Sequence, residues 1–593
     1  MSKTGKKDGF ILQAGILAAA GIICRIIGLL YRSPLTAIIG DRGNGYYSSA
    51  FNIYTIILLV SSYSIPSAIS KVIAQKLSDK EYRNAHRVFI CALWYVLAVG
   101  GAAGLFLFFG ANLLLEGPAA TVLKVFAPTI FLYGILGVLR GYFQAHRTMA
   151  QTSVSQILEQ IMNALISIGA ALWLIMALLG SADYYVLEKD GQVTFGGEVV
   201  VEQAQVMLDE EGEILLDDQG NKVYILSEEQ EEWNTKHATY GAIGSAMGTG
   251  AGVLTALLFM WAIYLLNQKT FQKRMRRDTE HEEESYGQIF RTLTSVVLPF
   301  ILSTAIYNLS TSMNQTIYTK IAMHLKGVSE KETFTSYGIF AGKAIVIRNI
   351  PIALASAMSS AVLPSISTAW AKGEYEDARE KVRRAIKVTM LISIPAGVGL
   401  TVLAKPVMQV LFPQKESLDV ASSILMALGL SVMFYALSTV TNSVIQGIGK
   451  VNVPVKNAAV ALVLQGLTLI ALLVFTEMDL YALVIAECLY SVVICILNQR
   501  ALRKYMEYKQ ELFTTFFVPM LASVFMGALS WAIYQGVYLL VESNIISLIV
   551  AVVFAVVIYF VLVILMKGMS EEELRAIPKG YLLVKVAKKL KLM

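Results

Sequence analysis

Fourteen long apolar segments, separated by short polar stretches, run through almost the whole of this 593-residue chain. About 20 consecutive apolar residues can cross a bilayer as a helix. In lipid, the backbone N–H and C=O groups find hydrogen-bond partners only in helices or closed barrels. Only 16% of the residues are charged, against about 25% in soluble domains. We therefore predict an all-α polytopic membrane protein with about 14 transmembrane helices. The segments are 10–39, 46–76, 88–112, 120–143, 150–180, 239–266, 288–325, 333–370, 385–404, 419–447, 455–476, 480–498, 513–535 and 543–566.

The distribution of Lys and Arg predicts the orientation, because cytoplasmic loops are enriched in both. With the N-terminus inside, the inner segments hold 35 of the 49 basic residues and the outer segments hold nine. We expect a multi-pass protein of the bacterial cell membrane with both termini cytoplasmic. The first apolar segment is too long for a signal peptide and contains Arg25, so we predict that it is retained as the first helix.

Two parts of the chain repeat each other. Ile65-Pro66-Ser67-Ala68-Ile69-Ser70 ends the second segment, and Leu363-Pro364-Ser365-Ile366-Ser367 ends the eighth. Such a repeat is typical of transporters whose binding site lies between two related halves. We predict an N-terminal lobe (1–266, helices 1–6), a cytoplasmic linker (267–287), a C-terminal lobe (288–500, helices 7–12), and an added helix pair with a basic tail (501–593).

An acidic insertion at 181–238 interrupts the first lobe on the predicted outer side. It holds 15 acidic and three basic residues. Alternating stretches flank Asp190-Gly191 and Gly220-Asn221, two turn signals that favour β-hairpins. A small β domain and a solvated acidic loop both remain open from sequence alone.

Five basic residues are expected at the depth of the hydrocarbon core. A charge there costs about 2.5–3.5 kcal/mol or more, so it normally faces a cavity or a partner. Few acids lie at the same depth, and these cations predict an electropositive cavity for an anionic substrate. Lys320 is close enough to a helix end to reach the membrane surface. The five are Arg25 and Arg32 in helix 1, Lys320 in helix 7, and Lys343 and Arg348 in helix 8.

The nearest acids offer these cations a purely structural alternative. Arg32 could reach Asp41, and Glu159 or Glu487 could neutralise other cations. Arg25 and Arg32 are seven residues apart, which places them on one helix face about 10 Å apart along the axis. A shared face favours a common substrate role.

Polar side chains crowd the middle of predicted helix 7, including Asn314 and Gln315. They could line an aqueous path for sugar hydroxyls or hold helices together by hydrogen bonds; we favour lining. Gln156, Glu159 and Gln160 could hold helices together or bind a coupling ion.

No cofactor, metal or nucleotide site is predicted. The run Gly338 to Ala344 lacks the spacing of a phosphate-binding loop, and the four cysteines lie in apolar runs, where they behave as small hydrophobic residues. Transport would then depend on a sodium or proton gradient or on the membrane potential, without ATP. From these residues we expect an anionic substrate and the bilayer as partners and no nucleic acid; a monomer is plausible.

Cys24-Arg25-Ile-Ile-Gly28-Leu-Leu-Tyr-Arg32, the repeated Leu363-Pro364-Ser365-Ile366-Ser367 and the fourteen segments resemble the MurJ-type lipid II flippases and the stage V sporulation protein B-like polysaccharide transporters. The resemblance covers nearly the whole chain except 181–238. It implies two lobes around a cationic cavity whose arginines in helices 1 and 8 bind the diphosphate of a lipid-linked precursor. Arg25, Arg32, Lys343 and Arg348 occupy those regions, while Asn349 stands where the family has a glutamate.

The expected function is outward flipping of an undecaprenyl-diphosphate-linked glycan, with lipid II for peptidoglycan synthesis favoured. The alternatives are an exporter of another lipid-linked polysaccharide unit (capsule or spore), a multidrug antiporter, and a membrane glycan ligase that uses acids of 181–238. A transporter, rather than an enzyme, fits the composition best.

Overall fold

The computed structural model describes residues 3–63, 65–146, 148–188, 190–207, 214–215, 222–276, 278, 281–412 and 414–569. Within its helices, the side chains of 3–19, 22, 63, 65, 67–68, 296–308, 357–361 and 364 lie outside the description. We call the predicted cytoplasmic side of the molecule the inner side and the opposite side the outer side.

Helices make up most of the described chain, as predicted. They are α1 (Lys3–Leu58), α2 (Ile65–Ser78), α3 (Tyr82–Leu114), α4 (Gly117–Ala145), α5 (Met149–Leu179), α6 (Glu228–Arg276), α7 (Tyr286–His324), α8 (Glu330–Gly338), α9 (Ile345–Ala371), α10 (Tyr375–Val402), α11 (Ala404–Leu411), α12 (Leu418–Gly429), α13 (Ser431–Gly447), α14 (Asn452–Phe475), α15 (Leu480–Met506), α16 (Val518–Val541) and α17 (Asn544–Leu565).

The first break in the long helices lies at a glycine. Gly40 has φ of 68° and ψ of 178°, a conformation open essentially to glycine alone. It divides α1 into an inner part and a second part that returns inward. Pro34 lies within the helix six residues before this kink.

Short π-helical turns interrupt the neighbouring spans. One joins α1 to α2 (Leu59–Tyr63), and another joins α8 to α9 (Ile339–Ala344). Such turns are frequent at functional sites because they redirect side chains within a helix. The second contains Lys343.

The helices pack into two groups. In the N-terminal half, α3–α6 pack together around Phe89, Phe126 and Leu139. In the C-terminal half, α9, α10 and α12–α15 pack around Ile386 and Leu483. Helices α16 and α17 pack on each other and on α10. The domain bounds predicted from sequence stay a prediction.

The sequence repeat has a packing counterpart. A Cβ at Gly141 of α4 would lie 2.7 Å from the carbonyl oxygen of Pro66. One at Gly447 of α13 would lie 2.5 Å from the Leu363 side chain and 2.7 Å from Ser367. In each half, therefore, a glycine lets a helix approach closely to the repeated proline-containing segment.

The outer insertion contains β structure, as the first predicted hairpin required. Strands β1 (Tyr185–Leu187), β2 (Val193–Phe195) and β3 (Glu198–Val201) form an antiparallel sheet, and β4 (Gln205–Val206) pairs with β5 (Tyr224–Ile225). The turn of the second predicted hairpin, Gly220-Asn221, lies outside the described residues. Nearby, the Val223 amide donates to the Leu215 carbonyl at 3.0 Å.

Eleven described helices are long and apolar enough to cross a membrane, or twelve if the bent pair α12 and α13 forms one span. The polytopic all-α class is thus confirmed. The count of fourteen stays a prediction, because segments 1 and 2 meet in the kinked helix α1 and part of α7 lies outside the described side chains.

Candidate functional site

A cavity of about 200 Å³ lies between the two halves. Drug-sized ligand pockets usually measure about 300–1,000 Å³, so this cavity is large enough for a small headgroup rather than a whole glycan. The walls come from α1, α7, α8, the π-helical turn, α9 and α15. They are Arg32, Ser48, Phe51, Asn52, Thr311, Asn314, Tyr337, Phe340, Ala341, Ile345, Val346, Arg348, Asn349 and Glu487.

Arg32 is the cation that enters the cavity from the N-terminal half. Its guanidinium carbon lies 5.2 Å from the Tyr47 ring centroid, within cation–π range. Its Nη1 atom is buried and has no hydrogen-bond partner among the described residues. Asp41, the acid considered for it from sequence, pairs with Lys343 instead. A guanidinium with a buried, unused donor is suited to an anion.

Arg348 enters the cavity from the C-terminal half and is 5% exposed. Its Nη1 atom lies 2.7 Å from Glu487 Oε2, and its guanidinium lies 4.6 Å from the Tyr435 ring centroid. The prediction of an uncompensated cation is therefore wrong for Arg348. Its Nε atom is nevertheless buried without a hydrogen-bond partner among the described residues.

Glu487 is the acid of this site. Beside Arg348, it accepts hydrogen bonds from the Tyr435 hydroxyl (2.6 Å) and from Asn314 Nδ2 (2.8 Å). Asn314 thus lines the cavity, as predicted, while orienting the carboxylate. The described cavity wall carries two arginines and one carboxylate, a formal excess of one positive charge.

Gln315 does not belong to the described cavity wall. It is fully buried and accepts a hydrogen bond from Asn52 Nδ2 at 3.0 Å. Asn52 also donates to the Tyr337 hydroxyl at 2.8 Å and accepts from Ser312 through its carbonyl. Sequence patterns did not single out Asn52, because one amide in an apolar helix gives no signal. In this conformation Gln315 and Asn52 join the halves.

Lys343 lies outside the described cavity wall as well, on the outer side. Its Nζ atom is 2.6 Å from Asp41 Oδ1 and donates to Ser417 Oγ at 2.7 Å, and Ser417 donates to Asp41 Oδ2. The side chain is 1% exposed. The expectation of an uncompensated Lys343 is therefore wrong: in this conformation it ties the loop before α12 to α1.

The remaining predicted cations have separate positions. Arg25 is exposed on the inner part of α1 and is absent from the described cavity wall. Lys320 is surface-exposed at the outer end of α7, beside Glu116, in line with the interfacial position expected for it. Arg140 is buried in α4 and pairs with Glu159 at 2.7 Å. Glu159 therefore has a structural partner.

The outer side is closed between the halves. Three described sets of ion pairs cross it: Lys343–Asp41, Lys320–Glu116, and Arg42–Glu231–Lys331. On the inner side, the described ion pairs from the N-terminal half reach the linker ahead of α7, as in Lys76–Glu284. The halves are thus joined at the outer face, the arrangement expected when access is from the inner side.

Close backbone packing at Gly45 accompanies this closure. A Cβ at Gly45 would overlap the Phe334 carbonyl of α8, whereas one at Gly21, also in α1, would meet nothing within 4 Å. We expect Gly45→Ala to separate the outer ends and make the outer side accessible to a membrane-impermeant thiol reagent, with Gly21→Ala as the matched control. Equal labelling of a cysteine introduced at Ser48, which lines the cavity, in both variants would contradict this closure.

The family model described as lipid II flippase MurJ matches residues 222–554, more than half of the chain. The chain belongs to the lipid II flippase MurJ family. A second model, described as polysaccharide biosynthesis protein, matches residues 12–189. This membership makes the chain a multi-pass transport protein rather than an enzyme, of the flippase group that moves lipid-linked oligosaccharides.

Two curated relatives come from Bacillus subtilis (strain 168). Lipid II flippase MurJ is 20% identical over 76% of this chain and 75% of its own length. Stage V sporulation protein B is 21% identical over 96% of this chain and 98% of its own length. The second match therefore includes nearly the whole of both proteins.

Solved structures share the fold. The lipid II flippase MurJ in an inward closed conformation has a TM-score of 0.60 at 13% identity, with 92% of this chain and 97% of that chain covered. An inward-facing multidrug resistance MATE family transporter has a TM-score of 0.62 at 14% identity, covering 83% and 98%. Both likenesses concern architecture, and the side chains of the cavity must decide the substrate.

Proposed function

We propose that this protein is a flippase that moves an undecaprenyl-diphosphate-linked glycan, with lipid II favoured, from the inner to the outer leaflet by alternating access. The observation that carries the proposal is the cavity between the halves. It holds Arg32 with an unused buried donor, and Arg348 directly across the two halves. A diphosphate carries the charge and the acceptor oxygens that two arginines bind best.

The geometry supports a path from the inner side. Arg25 lies about 10 Å inward of Arg32 on the same face of α1. A headgroup that enters from the inner side would therefore contact Arg25 before it reaches the cavity. Arg32 and Ser48 would then donate to the diphosphate. Arg348 would add its free Nε donor while its pairing with Glu487 weakens. Lys343 would contribute once the outer contact with Asp41 opens.

The driving force in this proposal is the membrane potential or a sodium or proton gradient. An inside-negative potential contributes about 2.3 kcal/mol per charge per 100 mV and favours outward movement of an anion. The protein would act in the bacterial cell membrane with both termini cytoplasmic. Its product would feed peptidoglycan synthesis and so support cell-wall growth and cell shape.

A second lipid-linked glycan is the nearest alternative. The match to stage V sporulation protein B covers both chains almost fully, which keeps a spore or capsule polysaccharide unit as a candidate. A multidrug antiporter is disfavoured, because a cavity with two arginines against one carboxylate repels cationic drugs. A membrane glycan ligase would use acids of the insertion as catalysts, and most of the acids at the centre of the insertion lie outside the described residues.

The test is the leaflet distribution of lipid precursors in intact cells depleted of their own lipid II flippase. We expect this protein to restore growth and to expose lipid II at the outer leaflet, measured by its cleavage with an externally added lipid II-degrading enzyme. Precursor retained inside, despite normal membrane insertion of the protein, would reject lipid II as the substrate. Accumulation of a different polyprenyl diphosphate-glycan in the organism that encodes this protein, once the protein is removed, would then support the alternative.

A further inference from the structure

The acidic insertion is anchored to the outer end of α6 by side chain–backbone hydrogen bonds. Asn234 both donates to the Tyr185 carbonyl and accepts from the Tyr185 amide, each at 2.8 Å. Trp233 Nε1 donates to the Asp183 carbonyl at 3.1 Å. The rings of Tyr185, Phe195 and Trp233 pack against each other. The sheet is therefore held against α6, and its position relative to the membrane helices is set.

One carboxylate of the insertion contacts both halves. Glu231 Oε2 lies 3.0 Å from Arg42 Nη1 of α1 and 3.3 Å from Lys331 Nζ of α8. Arg42 also donates to Thr235 at 3.1 Å. The Arg42 and Glu231 side chains are 18% and 22% exposed, which limits screening of the pair compared with a fully exposed one.

A second contact lies at the same face. A Cβ on Gly40 would be 3.9 Å from the Tyr184 ring. Burial raises the pKa of Glu416, in the loop before α12, and the nearby charges of Asp41 and Glu188 raise it further. The insertion therefore contacts the C-terminal half through the Glu231–Lys331 pair and lies against α1 at Tyr184. It also places Glu188 near enough to Glu416 to act on its charge.

We propose that the insertion is an extracytoplasmic clasp, in which Glu231 holds Arg42 and Lys331 together and stabilises the state with the outer side closed. The clasp rests on the alternating access of the proposed function, since opening the outer side must break one or both of these pairs. Arg42 and Lys331 repel each other without Glu231, so its removal changes an attraction into a repulsion. The clasp would slow the opening of the outer side, because these ion pairs must break first.

The experiment measures the separation of the outer ends by pulsed electron resonance in the full-length protein reconstituted in nanodiscs. Spin labels replace Leu113 at the end of α3 and Phe475 at the end of α14, which are both 83% exposed. The four native cysteines are replaced by alanine. Gly45→Ala marks the distance of the open outer side.

The decisive variant is Glu231→Gln, compared with Glu232→Gln. Glu232 pairs with Lys236 in its own helix, so its substitution removes the same charge without breaking a contact between the halves. We expect Glu231→Gln to raise the open-to-closed ratio roughly twofold to tenfold, the range that partly exposed ion pairs support, and Glu232→Gln to leave it unchanged. Added salt should raise the ratio in the wild type more than in Glu231→Gln.

The outcomes separate the clasp from the proposed function. If the wild type and Gly45→Ala show two distances and Glu231→Gln matches Glu232→Gln, the clasp is wrong and flipping by alternating access stands. If no variant gives a second distance, with or without a polyprenyl diphosphate lipid, both proposals are overturned. An equal salt response in the wild type and Glu231→Gln would also reject the clasp.

Discussion

Arg32→Ala is expected to slow flipping of a diphosphate-linked lipid at least tenfold while leaving the protein folded. The reason is that a charge-assisted hydrogen bond to an anion contributes about 1.5–3 kcal/mol, equivalent to a factor of ten or more. In the substrate-free protein, Arg32 has an unused buried donor and makes no ion pair with the described residues. The measurement is outer-leaflet exposure of lipid II in the depleted strain, with thermal unfolding of the purified variant alongside.

Two further variants serve as controls for this prediction. Arg32→Lys keeps the charge but loses the planar fork of donors, so partial activity is expected. Lys405→Ala removes an exposed cation whose partner, Asp419, lies in the same half, and it should leave flipping unchanged. Full activity of Arg32→Ala would remove this residue from the substrate site.

Arg348→Met should have the largest effect on stability. It leaves the Glu487 carboxylate buried with only Tyr435 and Asn314 as described hydrogen-bond donors. Breaking one partner of a buried pair costs about 3–5 kcal/mol, whereas replacing both partners is often neutral. We therefore expect a strongly lowered unfolding temperature for Arg348→Met and near-normal stability for the double variant Arg348→Met, Glu487→Gln.

Activity of the double variant separates a structural role from a substrate role for Arg348. With stability restored, flipping should still be lost, because the guanidinium that binds the diphosphate is missing. Normal flipping by a stable double variant would mean that Arg348 only balances Glu487. An unfolding temperature unchanged in Arg348→Met would contradict the buried ion pair itself.

Much of the architecture follows from the sequence because hydrophobic length dictates it. Apolar segments of about 20 residues have few alternatives to membrane helices, and the repeated Pro66 and Pro364 segments occupy matching places in the two halves. The first hairpin of the insertion was predicted by Asp190-Gly191, a turn signal with a direct backbone cause. The kink at Gly40 lies in the interval predicted between the first two segments, but the sequence did not single out this glycine, because a glycine permits a break without requiring it.

The partners of the cations could not be predicted in the same way. Arg348 and Glu487 are 139 residues apart, and Ser417 and Asp41 are 376 apart, so only the folded chain brings them together. The π-helical turn moves Lys343 onto the outer contact, which a regular helix would not predict.

The central claim is that the cavity between the halves binds a diphosphate headgroup, and native mass spectrometry of the protein released from nanodiscs tests it most directly. The nanodiscs contain equal amounts of undecaprenyl diphosphate and undecaprenol, which share the tail and differ in charge. We predict that the wild type retains the diphosphate lipid selectively and that Arg32→Ala loses this selectivity, while Lys405→Ala keeps it. Equal retention of the two lipids by the wild type, or unchanged selectivity in Arg32→Ala, would contradict the account.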